Sequence, residues 1–176
     1  RYPARFSPRF ASAAIEALSE PGDIVVDPFV GGGTTVVEAI VSGRRAVAVD
    51  LNTLAVFLTH VKSTALSIGE TRLLADWLPN AVEAANCQRL ACDPTDWFPG
   101  PDVRHLSSPD VAAIIKALAT MLRESEALPT EALRRWAQCL LLRSGQCALD
   151  GRRVIPGVGP LGRMVLSHGS EMLAGM

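Results

Sequence analysis

The pattern of apolar and polar residues predicts two short strands joined by a helix near the start of the chain. Residues 24–26 and 46–49 are short apolar runs, as expected for buried strands of a parallel sheet. Between them, residues 34–41 follow a helical pattern that ends at Gly43, with Thr34 or Thr35 able to cap its start. One helical crossover between two strands makes a βαβ unit with a parallel pair.

Helical periodicity accounts for most of the other elements. Two helices flank the βαβ unit, over residues 8–18 and 53–66, with predicted apolar faces Phe10, Ala14, Ile15 and Leu18 in the first and Leu54, Phe57, Leu58 and Val61 in the second. Four more are predicted, separated by a loop over residues 92–109: 70–86 (apolar side Leu73, Leu74, Trp77 and Leu78), 109–125, 130–150 and 159–175. We therefore expect an α/β unit over residues 1–69, followed by a mainly helical segment over residues 70–176.

Length and composition limit the class of protein. The 176 residues, 48% of them hydrophobic, suit a globular domain, and no apolar run approaches the roughly 20 residues of a membrane helix. A two-stranded parallel sheet leaves apolar edges uncovered, and the chain begins at Arg1 rather than Met. Both features lead us to expect a piece of a longer protein whose remaining strands lie outside this chain.

Charge and cysteine content add little positive information. The net charge of −1 gives no electrostatic support for nucleic-acid binding, although it leaves room for a local basic face. The four cysteines contain no Cys-x-x-Cys pair, and His60, His105 and His168 have no metal-ligand spacing. We expect no bound metal and no disulfide, but reduced, mostly buried thiols in a cytoplasmic protein.

The candidate chemistry is concentrated at residues 27–35, where the first strand runs through three glycines into a helix. Such a turn brings backbone N–H groups and a helix N-terminus to a small anionic ligand. No Lys follows Gly33, which argues against a P-loop. A dinucleotide fingerprint requires glycine at position 36, where this chain has Val36.

Two carboxylates narrow the choice of ligand. Asp50 ends the second strand, where an acidic side chain lies beside the glycine loop and can accept both hydroxyls of a ribose. Asp27 ends the first strand, and its charge would repel a pyrophosphate but attract the ammonium of an amino-acid moiety. Together they favour S-adenosylmethionine over NAD.

The sequence Asp27-Pro28-Phe29-Val30-Gly31-Gly32-Gly33-Thr34-Thr35 resembles the cofactor motif of the DNA amino-methyltransferases that modify adenine N6 or cytosine N4. Three flanking features agree with that family: Arg5-Phe6-Ser7-Pro8 upstream, the second strand around residues 43–50, and the helix start at Asn52 and Ala55. The resemblance covers about residues 4–66 and implies a partial Rossmann-like methyltransferase fold.

The resemblance also implies roles for individual residues. Phe6 belongs to the segment that closes over the methionine end of S-adenosylmethionine, Asp50 would hold the ribose, and Leu51 and Asn52 would border the adenine. The methionine moiety would be lined by Asp27, Phe29, Gly31 and Gly33, with Thr34 and Thr35 at its carboxylate. The implied partner is double-stranded DNA with the target base flipped out of the helix.

The catalytic tetrapeptide of that family, a polar residue followed by Pro-Pro and an aromatic residue, is absent because the chain contains no Pro-Pro pair. The nearest string, Asp93-Pro94-Thr95-Asp96-Trp97, lacks the second proline, and we interpret it as a loop turn. The catalytic residues are therefore unassigned. We expect residues 70–176 to be an inserted or target-recognition region, and two alternatives stay open: an RNA methyltransferase, or a non-catalytic module that only binds the cofactor.

Overall fold

The predicted βαβ unit is present, and its two strands are parallel. The computed structural model describes residues 7–87, 109–150 and 154–175. Its first five elements are α1 (Pro8–Leu18), β1 (Ile24–Asp27), α2 (Thr34–Val41), β2 (Arg45–Ala48) and α3 (Thr53–Ser63). Ile24 pairs with Arg45 and Asp27 with Ala48, so the carboxyl ends of both strands meet at the same edge.

These elements belong to the first of two compact units, Arg1–Ala65, which we call the sheet unit. Helix α2 packs against both strands, and α1 and α3 pack against α2. The turn at Pro21 and Gly22 and the helix end at Gly43 lie where the sequence predicted them. The bounds of α2 also match the prediction, and β2 begins one residue earlier than predicted.

The prediction of buried strands is wrong. Exposed and half-buried residues alternate along β1 and β2, because helix packing covers one face of the sheet. Val26, which is 62% exposed, pairs with Val47, which is 49% exposed, on the other face. Apart from Arg45 at the start of β2, the uncovered face is therefore apolar.

The predicted buried faces of two helices also need correction. In α1 the buried residues are Ala11 and Ile15, whereas Phe10 and Leu18 are exposed. In α3 the buried residues are Ala55 and Thr59, and Leu54 is exposed. Small side chains occupy the buried positions of α3 because its backbone lies very close to the chain at Gly33.

The second compact unit, Leu66–Met176, is the helical unit. Its elements are α4 (Ile68–Cys87), α5 (Pro109–Glu126), α6 (Glu131–Leu149) and α7 (Val158–Ala174), and the described ranges contain no strand besides β1 and β2. Each helix packs against the next, and α7 packs against α4, which closes a four-helix ring. Its interior is fully buried at Leu74, Ile114, Leu133, Leu140, Leu161 and Val165.

Small residues and a capping box set the geometry of this ring. A Cβ at Gly169 would lie 2.6 Å from a Leu78 methyl carbon, so glycine lets α7 approach α4 closely. Helix α4 begins two residues before the predicted start, because Ser67 and Glu70 form a reciprocal capping box. Its predicted apolar side is correct at Leu74 and Leu78, whereas Leu73 is 45% exposed.

Candidate functional site

The glycine loop, residues 28–33, leads from the end of β1 into α2 through a tight turn. The Gly33 N–H donates to the Val30 carbonyl at 2.9 Å, and Gly31 and Gly33 have φ angles of 49° and 79°. Gly33 itself is the N-cap of α2, and no side chain caps the helix. The prediction that Thr34 or Thr35 caps α2 is therefore wrong, because the left-handed backbone of Gly33 already starts the helix.

Gly33 is required for packing as well as for conformation. A Cβ at this position would lie 2.8 Å from Thr59 Oγ1 and 3.2 Å from the Thr59 Cα. Both distances are shorter than a normal contact, and the nearer group is held on helix α3. The loop is thus pressed against α3 at a point where only glycine fits without displacement.

Asp50 lies beside the loop, as its position after the second strand predicted. Its Oδ2 accepts the Gly31 N–H at 2.8 Å, and its Oδ1 accepts the Asn52 N–H, also at 2.8 Å. These hydrogen bonds, that of Asn52 first, lower the pKa of the Asp50 carboxyl below its ordinary value. Asp50 is therefore a fixed anion that joins the end of β2 to the glycine loop, and each carboxylate oxygen has a further lone pair for a ligand.

Asp27 lies at the same edge of the sheet. Its Oδ1 accepts the Phe29 N–H at 3.1 Å, which folds the start of the loop back over the strand end. The Val49 N–H donates to the Asp27 carbonyl at 2.9 Å, and the Val30 N–H donates to the Val49 carbonyl at 3.1 Å. The backbone contacts thus tie together the two strand ends that carry Asp27 and Asp50.

The start of α2 supplies the electropositive part of this edge. The first turn of an α-helix has N–H groups without intrahelical partners, and here no cap side chain satisfies them. Thr34 and Thr35 begin this turn and are half-buried. A helix start with open N–H groups favours an anionic ligand such as a carboxylate.

Exposed apolar residues complete the edge. Phe29 is 84% exposed and Leu51 is 99% exposed, and each follows one of the two acidic residues at the strand ends. The Asn52 side chain caps α3 by accepting the Leu54 N–H at 2.9 Å. Phe6 lies outside the described residues, so the structure gives no position for it.

Two functional candidates on α3 were missed by reasoning from the sequence. Lys62 donates from its ammonium to the Gly32 carbonyl at 2.7 Å, and Thr59 packs against Gly33. The available signal was spacing: Ala55, Thr59 and Lys62 recur at helical intervals on one face of α3. The three positions themselves hold small or polar residues, so a search for large apolar residues at helical spacing passes over them.

Candidates in the helical unit have structural partners instead. Trp136 is buried, the Arg134 side chain donates to the Leu128 carbonyl at 2.8 Å, and Arg135 pairs with Glu131 at 2.6 Å. The interpretation of this stretch as an amphipathic helix with a buried tryptophan is confirmed. Asp93, His105 and the surrounding loop lie outside the described residues.

Among the residues that the structure describes, the remaining cysteine, histidine and acidic side chains form no second cluster. Cys87 and Cys147 are exposed, so the expectation of mostly buried thiols is wrong for these two residues. Residues 7–87, 109–150 and 154–175 hold no group of three or more His, Cys, Asp or Glu side chains placed to bind a metal ion. Within the same ranges, no helix combines the length and apolar character needed to cross a membrane.

The glycine loop, the carboxylates of Asp27 and Asp50 and the open start of α2 thus lie at one edge of the sheet. Residues 1–58 match the family model described as DNA methylase, for adenine N6 and cytosine N4. The match spans both strands, the glycine loop and most of α3. This segment is similar to that DNA methylase family, and the resemblance drawn from the motif is confirmed.

Two curated relatives agree with the family match. The chain is 28% identical to the type II methyltransferase M.MjaII of Methanocaldococcus jannaschii over 83 residues, which are 47% of this chain and 16% of the relative. It is 53% identical to the DNA adenine methyltransferase YhdJ of Escherichia coli over 38 residues, which are 22% of this chain and 13% of the relative. The chain thus spans less than a fifth of the length of either relative. No solved structure matches it.

Proposed function

We propose that the sheet unit binds S-adenosylmethionine as the methyl-donor segment of an enzyme that methylates an exocyclic amine of DNA, adenine N6 or cytosine N4. The observation that carries this proposal is the glycine loop, which Asp50 holds at 2.8 Å beside an uncapped helix start. The family match and the two DNA methyltransferase relatives support the same assignment.

The groups at this edge fit the parts of S-adenosylmethionine. Helix α2 offers open N–H groups at Thr34 and Thr35 to the carboxylate of the methionine moiety. Asp27 keeps one carboxylate oxygen without a hydrogen-bond partner in the described part of the chain, and this oxygen suits the ammonium. Asp50 accepts the ribose hydroxyls, while Leu51 and Asn52 border the adenine.

The bound cofactor would supply an activated methyl group on its sulfonium sulfur. The role of this chain is to hold that group in place, with Phe29, Gly31 and Gly33 along the methionine moiety. The target base would be flipped out of double-stranded DNA toward the same edge. Phe6 would close over the methionine end of the cofactor.

Isothermal titration calorimetry with S-adenosylmethionine tests the proposal. We expect Asp50→Ala to weaken binding by about 10- to 100-fold, because a charged hydrogen-bond acceptor contributes about 1.5–3 kcal/mol. Equal affinity for wild type and Asp50→Ala, or tighter binding of NAD than of S-adenosylmethionine, would overturn it.

A matched pair of aspartates controls for general loss of charge. Asp27 follows β1 at the loop edge, whereas Asp23 precedes β1 and accepts the Glu20 N–H at 2.9 Å. Asp27→Asn should weaken binding about 2- to 5-fold through loss of a partly exposed ion pair. Asp23→Asn should bind like wild type, since it lies at the opposite end of the strand.

A binding module without transfer activity is a second candidate for this chain alone. The specific observation is the absence of any Pro-Pro pair, and hence of the catalytic tetrapeptide of the family. We expect the 176-residue chain to bind the cofactor but to transfer no radioactive methyl group to DNA. Methylation of DNA by the chain alone would reject this candidate, and methylation of RNA instead would favour an RNA methyltransferase.

A further inference from the structure

One face of α3 contacts the glycine loop. Ala55, Thr59 and Lys62 lie on this face, and Ala55 and Thr59 are buried. Thr59 contacts the loop through the close approach at Gly33, and Lys62 reaches the neighbouring glycine. Helix α3 therefore contacts the loop at two consecutive residues.

Each of the three glycines is fixed by a different residue. Asp50 accepts the Gly31 N–H at 2.8 Å, Lys62 donates to the Gly32 carbonyl at 2.7 Å, and Thr59 abuts Gly33. Glycine has the widest conformational freedom of any residue, so a run of three has a strong tendency to interconvert between conformations. Contacts from outside the loop must select one of them.

Lys62 acts on the peptide group that precedes the helix. The carbonyl of this peptide, from Gly32, accepts a hydrogen bond from the Lys62 ammonium. The N–H of the same peptide, from Gly33, donates to the Val30 carbonyl at 2.9 Å. Both polar atoms of the Gly32–Gly33 peptide are therefore engaged. A flip of this peptide would break both hydrogen bonds and would reorient the start of α2.

We propose that Lys62 is a positioning residue of the glycine loop. Its hydrogen bond fixes the Gly32–Gly33 peptide so that the open start of α2 faces the carboxylate of the ligand. This inference rests on the proposed function for the identity of the ligand. It adds a cation to an edge where Asp27 and Asp50 place two negative charges. The ammonium is exposed, so its effect is screened by salt.

The test compares two substitutions at one position. Lys62→Met removes the ammonium and keeps the length of the side chain, and Lys62→Arg restores a cation. Lys116, on α5 in the helical unit, is the other lysine of the chain, and Lys116→Met is the matched control. Hydrogen exchange followed by mass spectrometry measures opening of residues 28–36 without ligand. Calorimetry measures the affinity for S-adenosylmethionine.

We expect Lys62→Met to speed exchange in the loop and to weaken S-adenosylmethionine binding about 3- to 10-fold, as for an exposed charge-assisted hydrogen bond. Lys62→Arg should recover most of both effects, and Lys116→Met should match wild type. The loss of affinity should shrink at high salt.

Two results would overturn the inference. One is loop exchange in Lys62→Met equal to that of wild type. The other is a lower melting temperature of Lys62→Met with unchanged affinity for S-adenosylmethionine, which would indicate a purely structural role. Failure of the proposed function gives a different pattern. The wild type would then bind no S-adenosylmethionine, while faster loop exchange in Lys62→Met would still support the loop contact.

Discussion

The two units bury their apolar residues in different ways. In the helical unit, large side chains on all four helices are fully buried, including Leu74, Ile114, Leu140 and Val165. In the described part of the sheet unit, three of the six buried apolar residues are alanines (Ala11, Ala39 and Ala55), and the valines on one face of the sheet are exposed. One unit has a closed core, and the other has an open apolar face.

The candidate functional residues, in contrast, lie in the sheet unit and not in the described part of the helical unit. The sheet unit holds the glycine loop, two strand-terminal carboxylates and Lys62 at one edge. In the helical unit, the described polar contacts support helix ends and pair neighbouring helices, as in the hydrogen bond between Ser144 and His168 at 3.0 Å. The proposed ligand binding and the stability of the helical core therefore depend on separate sets of residues in this chain, so mutations should separate them.

The largest expected effect concerns the closed core. Leu140 on α6 is 0% exposed, and Leu140→Ala should lower the free energy of unfolding by about 2–5 kcal/mol through lost burial and a cavity. Urea unfolding followed by tryptophan fluorescence measures it, because Trp77 lies on α4 and Trp136 on α6 of the helical unit.

Two controls define the comparison between the units. Leu142 lies on the same helix but is 53% exposed, and Leu142→Ala should change stability by less than about 0.5 kcal/mol. Val47→Ala on the open sheet face should be equally mild, as measured by amide exchange of the sheet unit, which contains no tryptophan. A loss above about 2 kcal/mol for Val47→Ala would mean that this face is covered in solution, and the contrast would fail.

The next effect should appear in the glycine loop. Gly33→Ala introduces a side chain at a φ of 79° and only 2.8 Å from Thr59 Oγ1. We expect a cost of about 2–4 kcal/mol, from the left-handed conformation and the displacement of α3, together with loss of S-adenosylmethionine binding. Calorimetry and amide exchange of the sheet unit measure the two consequences.

Gly32→Ala is the matched control one residue earlier. A Cβ there meets no atom within 4 Å, and its φ lies outside the left-handed region. This variant should fold like wild type. If Gly32→Ala and Gly33→Ala were equally damaging, the requirement for glycine would come from flexibility of the whole loop rather than from contact with Thr59.

The sheet unit was predictable from sequence where its structure depends on local chemistry. A β-branched run, three glycines and an apolar helix determine β1, the loop and α2 through short-range conformational preferences. The position of Asp50 beside the loop also followed, because parallel strands end at the same edge. Its proposed contact with the ribose stays a prediction.

Features that depend on tertiary contacts were not predictable in the same way. The burial of β1 depends on whether helices cover one face or two, which the apolar run alone does not specify. The contact face of α3 consists of Ala55 and Thr59, because close approach to Gly33 selects small residues over large apolar ones. The Lys62 hydrogen bond also depends on the packing of α3 against the loop.

The capping box at the start of α4 is a different case. Ser67 and Glu70 have the Ser-x-x-Glu spacing in the sequence, so the start of this helix could have been predicted from the capping box. The predicted helix begins at residue 70 because Gly69 indicates a helix boundary, although glycine in the first turn of a helix is tolerated. Such local signals improve helix ends, whereas contacts between helices require the fold.

The smallest expected effect is a pH dependence of the helical unit. His168 on α7 shares a hydrogen bond with the buried Ser144 on α6, and Arg143 pairs with Glu171 beside it at 2.6 Å. Burial, and then the charge of Arg143, lower the pKa of His168 below its ordinary value of 6.5, while Glu171 opposes the shift. Because the unfolded chain then binds more protons than the folded one, the stabilisation is present above pH 6.5 and is lost as pH falls through the lowered pKa of the folded state.

Urea midpoints between pH 7.5 and pH 5 should therefore fall for the wild type, by less than the change produced by Leu140→Ala, because the imidazole is partly exposed. His168→Gln should flatten the profile, since it keeps a polar partner for Ser144 without a group that titrates in this range. The carboxyls of Asp50 and Glu70 also have lowered pKa values, but their ordinary values of 3.8 and 4.5 place their effect at more acidic pH. An equal slope in wild type and His168→Gln would assign the pH dependence to other groups and would leave the hydrogen bond between α6 and α7 as a purely structural contact.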